Sequence, residues 1–337
     1  VMANAALDMN IESPEKVSSH WASLEERGVY FGLKAMLLTY RIMGRFGFSL
    51  FLYPVILYFF LVNGTARRAS VDFLTHVAAH AEGRKALGRW PVRLRSFRHF
   101  LLFGEAILDK LRAWTGGFRF EDIDFENHEA FLALQESGRG GVLIASHLGN
   151  AEVSRALGTR IRNLKFTVLV HTKHAENFNK LMREENADST VSLIQTTEVG
   201  PETAILLSQK IAAGEFVVIV GDRTPVGNSS RSIWAPFLGR PAPFPEGPFI
   251  LAAILKCPVL LIFCLKQNNR FRVIFEPFRD VIDMPRARRR KALEALVANY
   301  AQRLEAHCLR DPYQWFNFFD FWNGADRAAS DKEQNRL

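Results

Sequence analysis

From about residue 121 onward, short apolar runs alternate with longer stretches of helical spacing, and this alternation leaves few architectures open. Residues 141–146 (GVLIAS), 166–170 (FTVLV), 216–221 (FVVIVG), 259–264 (VLLIFC) and 271–275 (FRVIF) are continuous, β-branched and aromatic runs of strand length. Between them, residues 175–186, 202–213 and 247–256 carry the 3.6-residue apolar spacing of helices, and residues 287–308 form a longer one. Strand–helix alternation predicts an α/β fold with a mostly parallel central sheet flanked by helices, because parallel neighbours need crossovers of helix length.

The first third of the chain is different. Residues 13–28 are polar, and residues 30–62 become strongly apolar. Residues 46–62 form a 17-residue run without a charge, with Arg41 and Arg45 before it and Arg67 and Arg68 after. A spanning helix needs about 20 apolar residues, and Pro54 in the middle of this run is expected to kink it. A short span, a helix pair on a membrane surface and a buried core helix all remain open. Membrane attachment of some kind is favoured. The 28 phenylalanines of the chain, many of them in its first 120 residues and its C-terminal tail, suit either a large core or a protein that meets acyl chains or the membrane interface. Residues 71–114 read as two helices, with Arg84, Lys85, Arg89, Arg93, Arg95 and Arg98 between and within them. They form either a solvated helix face or a basic rim for lipid phosphates. The expected division is an N-terminal helical membrane-anchoring arm over 1–65, a catalytic domain over 66–324 and a polar tail over 325–337.

The formal net charge of +8 favours acidic partners, among them anionic lipid headgroups, nucleic acid and an acidic carrier protein. Basic–aromatic modules of nucleic-acid binders are absent from the sequence, so no nucleic acid is expected as a partner. Cys257, Cys264 and Cys308 lie among apolar neighbours without short spacing, which predicts neither a disulfide framework nor a zinc site. Residues 1–10 have neither a basic start nor a long apolar run, so no secretory leader is expected there. His171, His174 and Glu176 have the spacing for two ligands on adjacent helical turns, but the sequence offers no third, and no metal is expected.

The chemistry is concentrated in Ser146-His147-Leu148-Gly149-Asn150-Ala151-Glu152. It follows a strand, so His147 is placed at the carboxyl end of the sheet, where open α/β sheets put their sites. Asn150 is a suitable N-cap, which places Glu152 in a first helical turn favoured by the helix dipole. On one continuous helix, residues five apart point roughly 140° apart; with a bend at Gly149 the carboxylate is able to reach the ring. Glu152 is therefore expected to hold one ring nitrogen and leave the other as a base. Alone, such a pair is common by chance. Asp222-Arg223 follows another strand, with Arg223 suited to a phosphate, and Phe244-Pro245-Glu246-Gly247-Pro248 opens a helix whose free N–H groups suit an anion.

Together, these pieces resemble the lysophospholipid acyltransferase superfamily. His147-x4-Glu152, the Arg223 segment, Phe244–Gly247 and Pro258-Val259 reproduce its four blocks in order. Within it, the chain is most similar to the bacterial branch of late lipid A acyltransferases. His-Leu-Gly-Asn-x-Glu, Phe237-Leu238-Gly239, Gly247-Pro248 with Leu251-Ala252, and Pro312-x-Gln314-Trp315 with Trp322 carry that likeness. A branch found beside aryl polyene genes is at least as similar. Leu148 and Ala151 stand where lipid A enzymes have an aromatic pair, and Pro248 replaces a hydroxyl residue, which leaves the acceptor open.

The resemblance implies an O-acyltransferase with His147 and Glu152 as catalytic residues. It implies substrate contacts from Asn150, Asp222, Arg223, Glu246 and Gly247. Residues 171–177 depart from the lipid A pattern and read instead as a strand-to-helix loop, with Lys173 expected beside the acyl or headgroup cleft. The resemblance also implies no bound cofactor, with acyl carrier protein or acyl-CoA as thioester donor and a lipid or glycolipid acceptor at the cytoplasmic face of a bacterial inner membrane. A lipid hydrolase using the same histidine, and a non-catalytic membrane-binding protein, are the rival readings. Against the first, no Gly-x-Ser-x-Gly elbow is present.

Overall fold

The computed structural model describes residues 38–322 apart from 41, 45–46, 49, 115–116, 155–163, 171–190, 196–199 and 225–230. Lys173, His171, His174 and Glu176, the helix expected over 175–186 and the tail lie outside the described residues.

Helix α1 (Leu50–Val62) leads at a 92° bend into α2 (Gly64–Ala79). The helix runs through Pro54, which lies near its start, and the break falls instead at Asn63. Asn63 leaves helical geometry (φ −86°, ψ 80°), and its side-chain oxygen accepts from Ala66 N at 3.0 Å, ending one helix while capping the next. The region expected to hold two helices holds three: α2, α3 (Ala81–Leu87) and α4 (Val92–Trp114). Gly88, at φ 72°, ends α3, and Pro91 precedes α4, so the glycine–proline punctuation divides what apolar spacing alone joins.

After these helices come β1 (Ile123–Glu126), α5 (Glu129–Glu136), β2 (Gly141–Ala145), β3 (Phe166–Val170), β4 (Val191–Gln195), α6 (Pro201–Ala212) and β5 (Phe216–Val220). The hairpin β6 (Ser232–Phe237) and β7 (Arg240–Pro245) follows, then α7 (Gly247–Leu255), β8 (Val259–Gln267), β9 (Arg270–Arg279) and α8 (Arg289–Arg310). The seven-stranded sheet has the order β1-β9-β8-β2-β5-β3-β4. Only β8 and β9 pair antiparallel within it. The mixed α/β architecture with a mostly parallel central sheet is thus as expected.

The apolar runs read as buried on both faces because they are. In β2, Val142 and Ile144 enter one core while Leu143 and Ala145 enter the other. In β8, Val259, Leu261, Phe263 and Leu265 alternate in the same way with Leu260, Ile262 and Cys264. The first core is closed by α2, α7 and the stripe Leu293, Leu296, Val297, Tyr300, Ala301 and Leu304 of α8. A third cluster joins α1 and the preceding Phe48 to α4: Phe48, Leu52 and Ile56 bury against Phe100 and Leu108. Gly104 permits that approach, since a Cβ there would meet Leu52 and Ile56 Cδ1 at 2.9 Å.

The hairpin β6–β7 went unread in the sequence because Pro236, Pro241, Pro243 and Pro245 depress strand propensity. A two-stranded ribbon tolerates them, each strand having an edge without a ladder to complete. Its two-residue turn, Leu238-Gly239 at φ 51° and 82°, is tied to α8 by Glu305, which accepts from Leu238 N.

Candidate active site

Strands β2 and β5 are parallel neighbours in register, Ala145 opposite Val220. Two residues further along each strand stand His147 and Asp222, so the sheet itself brings the pair together. Tyr300 fixes the strand ends from behind, donating to Ala145 O at 3.0 Å. At Gly221 a Cβ would lie 2.9 Å from the Tyr300 ring, so the residue before Asp222 has to be small.

His147 Nδ1 lies 2.7 Å from Asp222 Oδ1, with the imidazole 28% exposed and the carboxylate wholly buried. The other oxygen, Oδ2, accepts from His147 N at 2.9 Å, Trp315 Nε1 at 2.9 Å and Asn317 Nδ2 at 3.3 Å. Burial pushes the Asp222 carboxyl up, but the His147 ring, its hydrogen bonds and that from Trp315 together outweigh it and hold the group below the usual carboxylate range. An ionised Asp222 can only accept, so Nδ1 carries a proton, and in the neutral ring the lone pair is on Nε2.

The sequence reading expected Glu152 on this ring. The carboxylate on Nδ1 belongs to Asp222, expected as a substrate contact, and not to Glu152. Glu152 stands half-buried in the first turn of the helix that begins at Ala151. The reading followed proximity in sequence, whereas the contact is set by the register of two strands far apart in the chain.

Asn150 stands at the N-cap position, its carbonyl accepting from Val153 N at 3.0 Å. Its side-chain amide donates to Ala106 O in α4 at 2.8 Å, and its backbone N to Cys264 O at 2.7 Å. The residue thus anchors the loop to α4 and β8. Arg223 gives Nε to Asn317 Oδ1 at 2.7 Å and Nη2 to Phe316 O at 3.1 Å, binding the C-terminal segment from an exposed position. Glu246 caps α7, accepting from Ile250 N and donating its own N–H to Arg231 O, and Gly247 is exposed. These bonds give neither residue a contact with the His147–Asp222 pair. A cavity of about 410 Å³ borders the loop, lined by Gly149, Asn150, Arg98, Asp109, Lys266 and Tyr313 among others.

The C-terminal aromatic segment is the part of the site that sequence reasoning left without a role. Leu148 and Trp315 form an antiparallel bridge, with Gly149 N donating to Gln314 O at 2.8 Å and Phe316 N to His147 O at 2.9 Å. The segment is held in turn by the fully buried His99 of α4. Ser96 Oγ donates to Ser70 Oγ, Ser70 Oγ lies 3.0 Å from His99 Nδ1, and His99 Nε2 lies 3.0 Å from Trp315 O. A carbonyl accepts only, so Nε2 carries the proton and the neutral ring takes the serine's hydrogen on Nδ1.

Burial lowers the His99 pKa from 6.5 to about 4, against the bond to Trp315 that raises it. The unfolded chain therefore binds a proton here at a pH where the folded chain does not. The stabilising contribution is complete above the ordinary pKa and is lost as the pH falls from about 6.5 towards 4, by roughly 3 kcal/mol in all. Urea unfolding of the wild type and His99→Gln across this window should show the wild type losing stability more steeply. Parallel curves would contradict it.

The family model for bacterial lipid A biosynthesis acyltransferases matches residues 107–323, from the middle of α4 to just past the aromatic segment. No curated protein matches the chain. With both members of the His147–Asp222 pair and the Trp315 segment inside the matched residues, the chain belongs to the bacterial lipid A biosynthesis acyltransferase family.

Proposed function

We propose that this acyltransferase moves a fatty-acyl group from a thioester, on acyl carrier protein or coenzyme A, to a hydroxyl of a lipid or glycolipid acceptor, with His147 as general base. The observation that carries this reading is the 2.7 Å contact of His147 Nδ1 with the buried Asp222. It leaves Nε2 as a base of fixed tautomer on a partly exposed ring. In this scheme Nε2 takes the proton of the acceptor hydroxyl as its oxygen attacks the thioester carbonyl. The tetrahedral intermediate then expels the thiolate, which takes the proton back from His147. Nothing is bound covalently to the protein, and no cofactor enters the scheme. The cavity beside Gly149 and Asn150, with both acidic and basic groups in its wall, suits the polar part of a substrate better than its acyl chain.

The setting we infer is the cytoplasmic face of a bacterial inner membrane. Among the described residues no single helix is long and apolar enough to cross a membrane, while α1 and α2 pass that test only as a bent pair. The support lies in the surface of α1, where Leu50, Phe51, Tyr53, Tyr58, Phe59 and Leu61 are all more than half exposed. Arg84, Lys85, Arg89 and Arg93 are likewise exposed around Trp90, a pattern that suits anionic headgroups.

Lipid mass spectrometry of the native host, deleted for its own copy of the gene and carrying wild type, His147→Ala or an empty vector, tests the reading. A lipid heavier by one acyl chain is expected with wild type alone, and its mass identifies acceptor and chain. Released fatty acid without that lipid would favour a hydrolase. Identical lipids from wild type and His147→Ala at equal expression would sink the proposal. In the same cells, the wild-type protein is expected in the membrane pellet, and recovery from the soluble fraction would count against the setting.

A further inference from the structure

We infer that Trp315 and Asn317 are positioning residues of the transfer site, acting on His147 through Asp222. This rests on the proposed role of His147 and adds two residues to it.

The argument starts from the two oxygens of Asp222. A free carboxylate has equivalent oxygens and can rotate, so a single bond to an imidazole leaves the ring poorly aimed. Here Oδ2 is filled by three donors, His147 N, Trp315 Nε1 and Asn317 Nδ2, and Oδ1 is left to His147 Nδ1. The orientation of the Asn317 amide follows from its other partner. Arg223 is a donor only, so the amide oxygen faces its Nε at 2.7 Å and the NH₂ group faces Asp222. Arg223 thereby sets which end of Asn317 meets the carboxylate.

Both donors are enclosed. Trp315 is wholly buried and Asn317 is 1% exposed. The indole packs against Phe73, Phe237 and Phe321 at ring distances of 4.8, 5.3 and 4.9 Å. Its backbone carbonyl is the acceptor of His99 Nε2, which ties the position of the indole to α4. A packing role alone asks for an apolar ring at this position. The N–H aimed at a buried charge asks for tryptophan.

The bond from Trp315 is also one of the interactions that keep the Asp222 carboxyl low against its burial. Its loss raises that carboxyl and makes the hydrogen bond to Nδ1 less well defined. Removing one hydrogen bond to a charged group corresponds to a loss of roughly tenfold in rate.

The test compares wild type, Trp315→Phe, Asn317→Leu and Phe321→Leu in the full chain, labelled with ¹⁵N-histidine and studied in detergent micelles. The His147 Nδ1–H resonance, assigned by its loss in His147→Ala, is the readout. In wild type it should exchange slowly with water. In Trp315→Phe and Asn317→Leu it should exchange faster, with roughly tenfold less acylated product in cells. Phe321→Leu disturbs the same aromatic cluster without touching Asp222, and should lower thermal stability while keeping the resonance. If both donor variants keep the wild-type resonance and product, or if Phe321→Leu loses them equally, the assignment is overturned. Failure of the acyl-transfer reading shows separately, as wild-type cells that make no acylated product while the resonance still distinguishes the variants.

Discussion

Replacing Asp222 by Asn should lower kcat by about 10⁴-fold, to the level of His147→Ala, although only one oxygen becomes an NH₂ group. The reason is the set of donors around the side chain. His147 N, Trp315 Nε1 and Asn317 Nδ2 all converge on the Oδ2 position. An asparagine must turn its single oxygen towards them, because its NH₂ there would face three N–H groups. The NH₂ then occupies the Oδ1 position, 2.7 Å from His147 Nδ1. Facing a donor, Nδ1 gives up its proton and becomes the acceptor, and the proton settles on Nε2. The imidazole remains in place in the wrong tautomer, with no lone pair for the acceptor hydroxyl. Two groups acting as one unit are not additive, so the double variant His147→Ala, Asp222→Asn should be no slower than either single one. Product formation in cells, with ¹⁵N shifts of the ring to read the tautomer, checks both statements. An Asp222→Asn protein that retains more than about a tenth of wild-type activity would falsify the scheme.

The central strands were legible in the sequence because they lie in the middle of the sheet. GVLIA, FTVLV, FVVIV, VLLIF and FRVIF are apolar enough on both faces to stand out from their neighbours. The edge strand β1, with pattern IDFE and one buried residue, and the proline-rich hairpin β6–β7 carry no such signal. The apolar stripe of α8 was visible in the same way, while the division of residues 71–114 among three helices was not.

His147 could be singled out from its strand-end position, but the carboxylate that meets its ring could not be found by local spacing. The clue was present: GVLIA-SH and FVVIV-GD each place a titratable residue two positions beyond a buried strand. Turning that clue into a contact requires knowing that β2 and β5 are neighbours, which is a property of strand order. The C-terminal motif around Gln314-Trp315 was visible as a likeness. Its role was not, since nothing in a run of aromatic residues distinguishes an indole that fills a core from one that donates to a buried carboxylate.

Gly149→Ala should destabilise the protein by about 3–5 kcal/mol, far more than the same change at Gly138. Both glycines have left-handed backbones, φ 75° and 68°, so alanine at either costs roughly 1 kcal/mol in conformation. Around Gly138 there is open space, and the cost should end there. At Gly149 a Cβ would lie 2.0 Å from Cys264 O, a backbone atom in the central strand β8 that cannot swing aside. The loop has to lift instead. Its departure breaks the 2.7 Å bond from Asn150 N to the same carbonyl and strains the 2.8 Å bond from Gly149 N to Gln314 O. Those bonds align the loop with β8 on one side and with the segment carrying Trp315 on the other. The same change should therefore remove activity as well as stability, by moving His147 relative to Asp222. Thermal unfolding of the two variants beside wild type is the check. A fall in Tm on the order of 10 °C is expected for Gly149→Ala and a few degrees for Gly138→Ala. Equal falls would mean that the loop can shift away from β8 at little cost, and that the rigidity assigned to the His147 turn is not there.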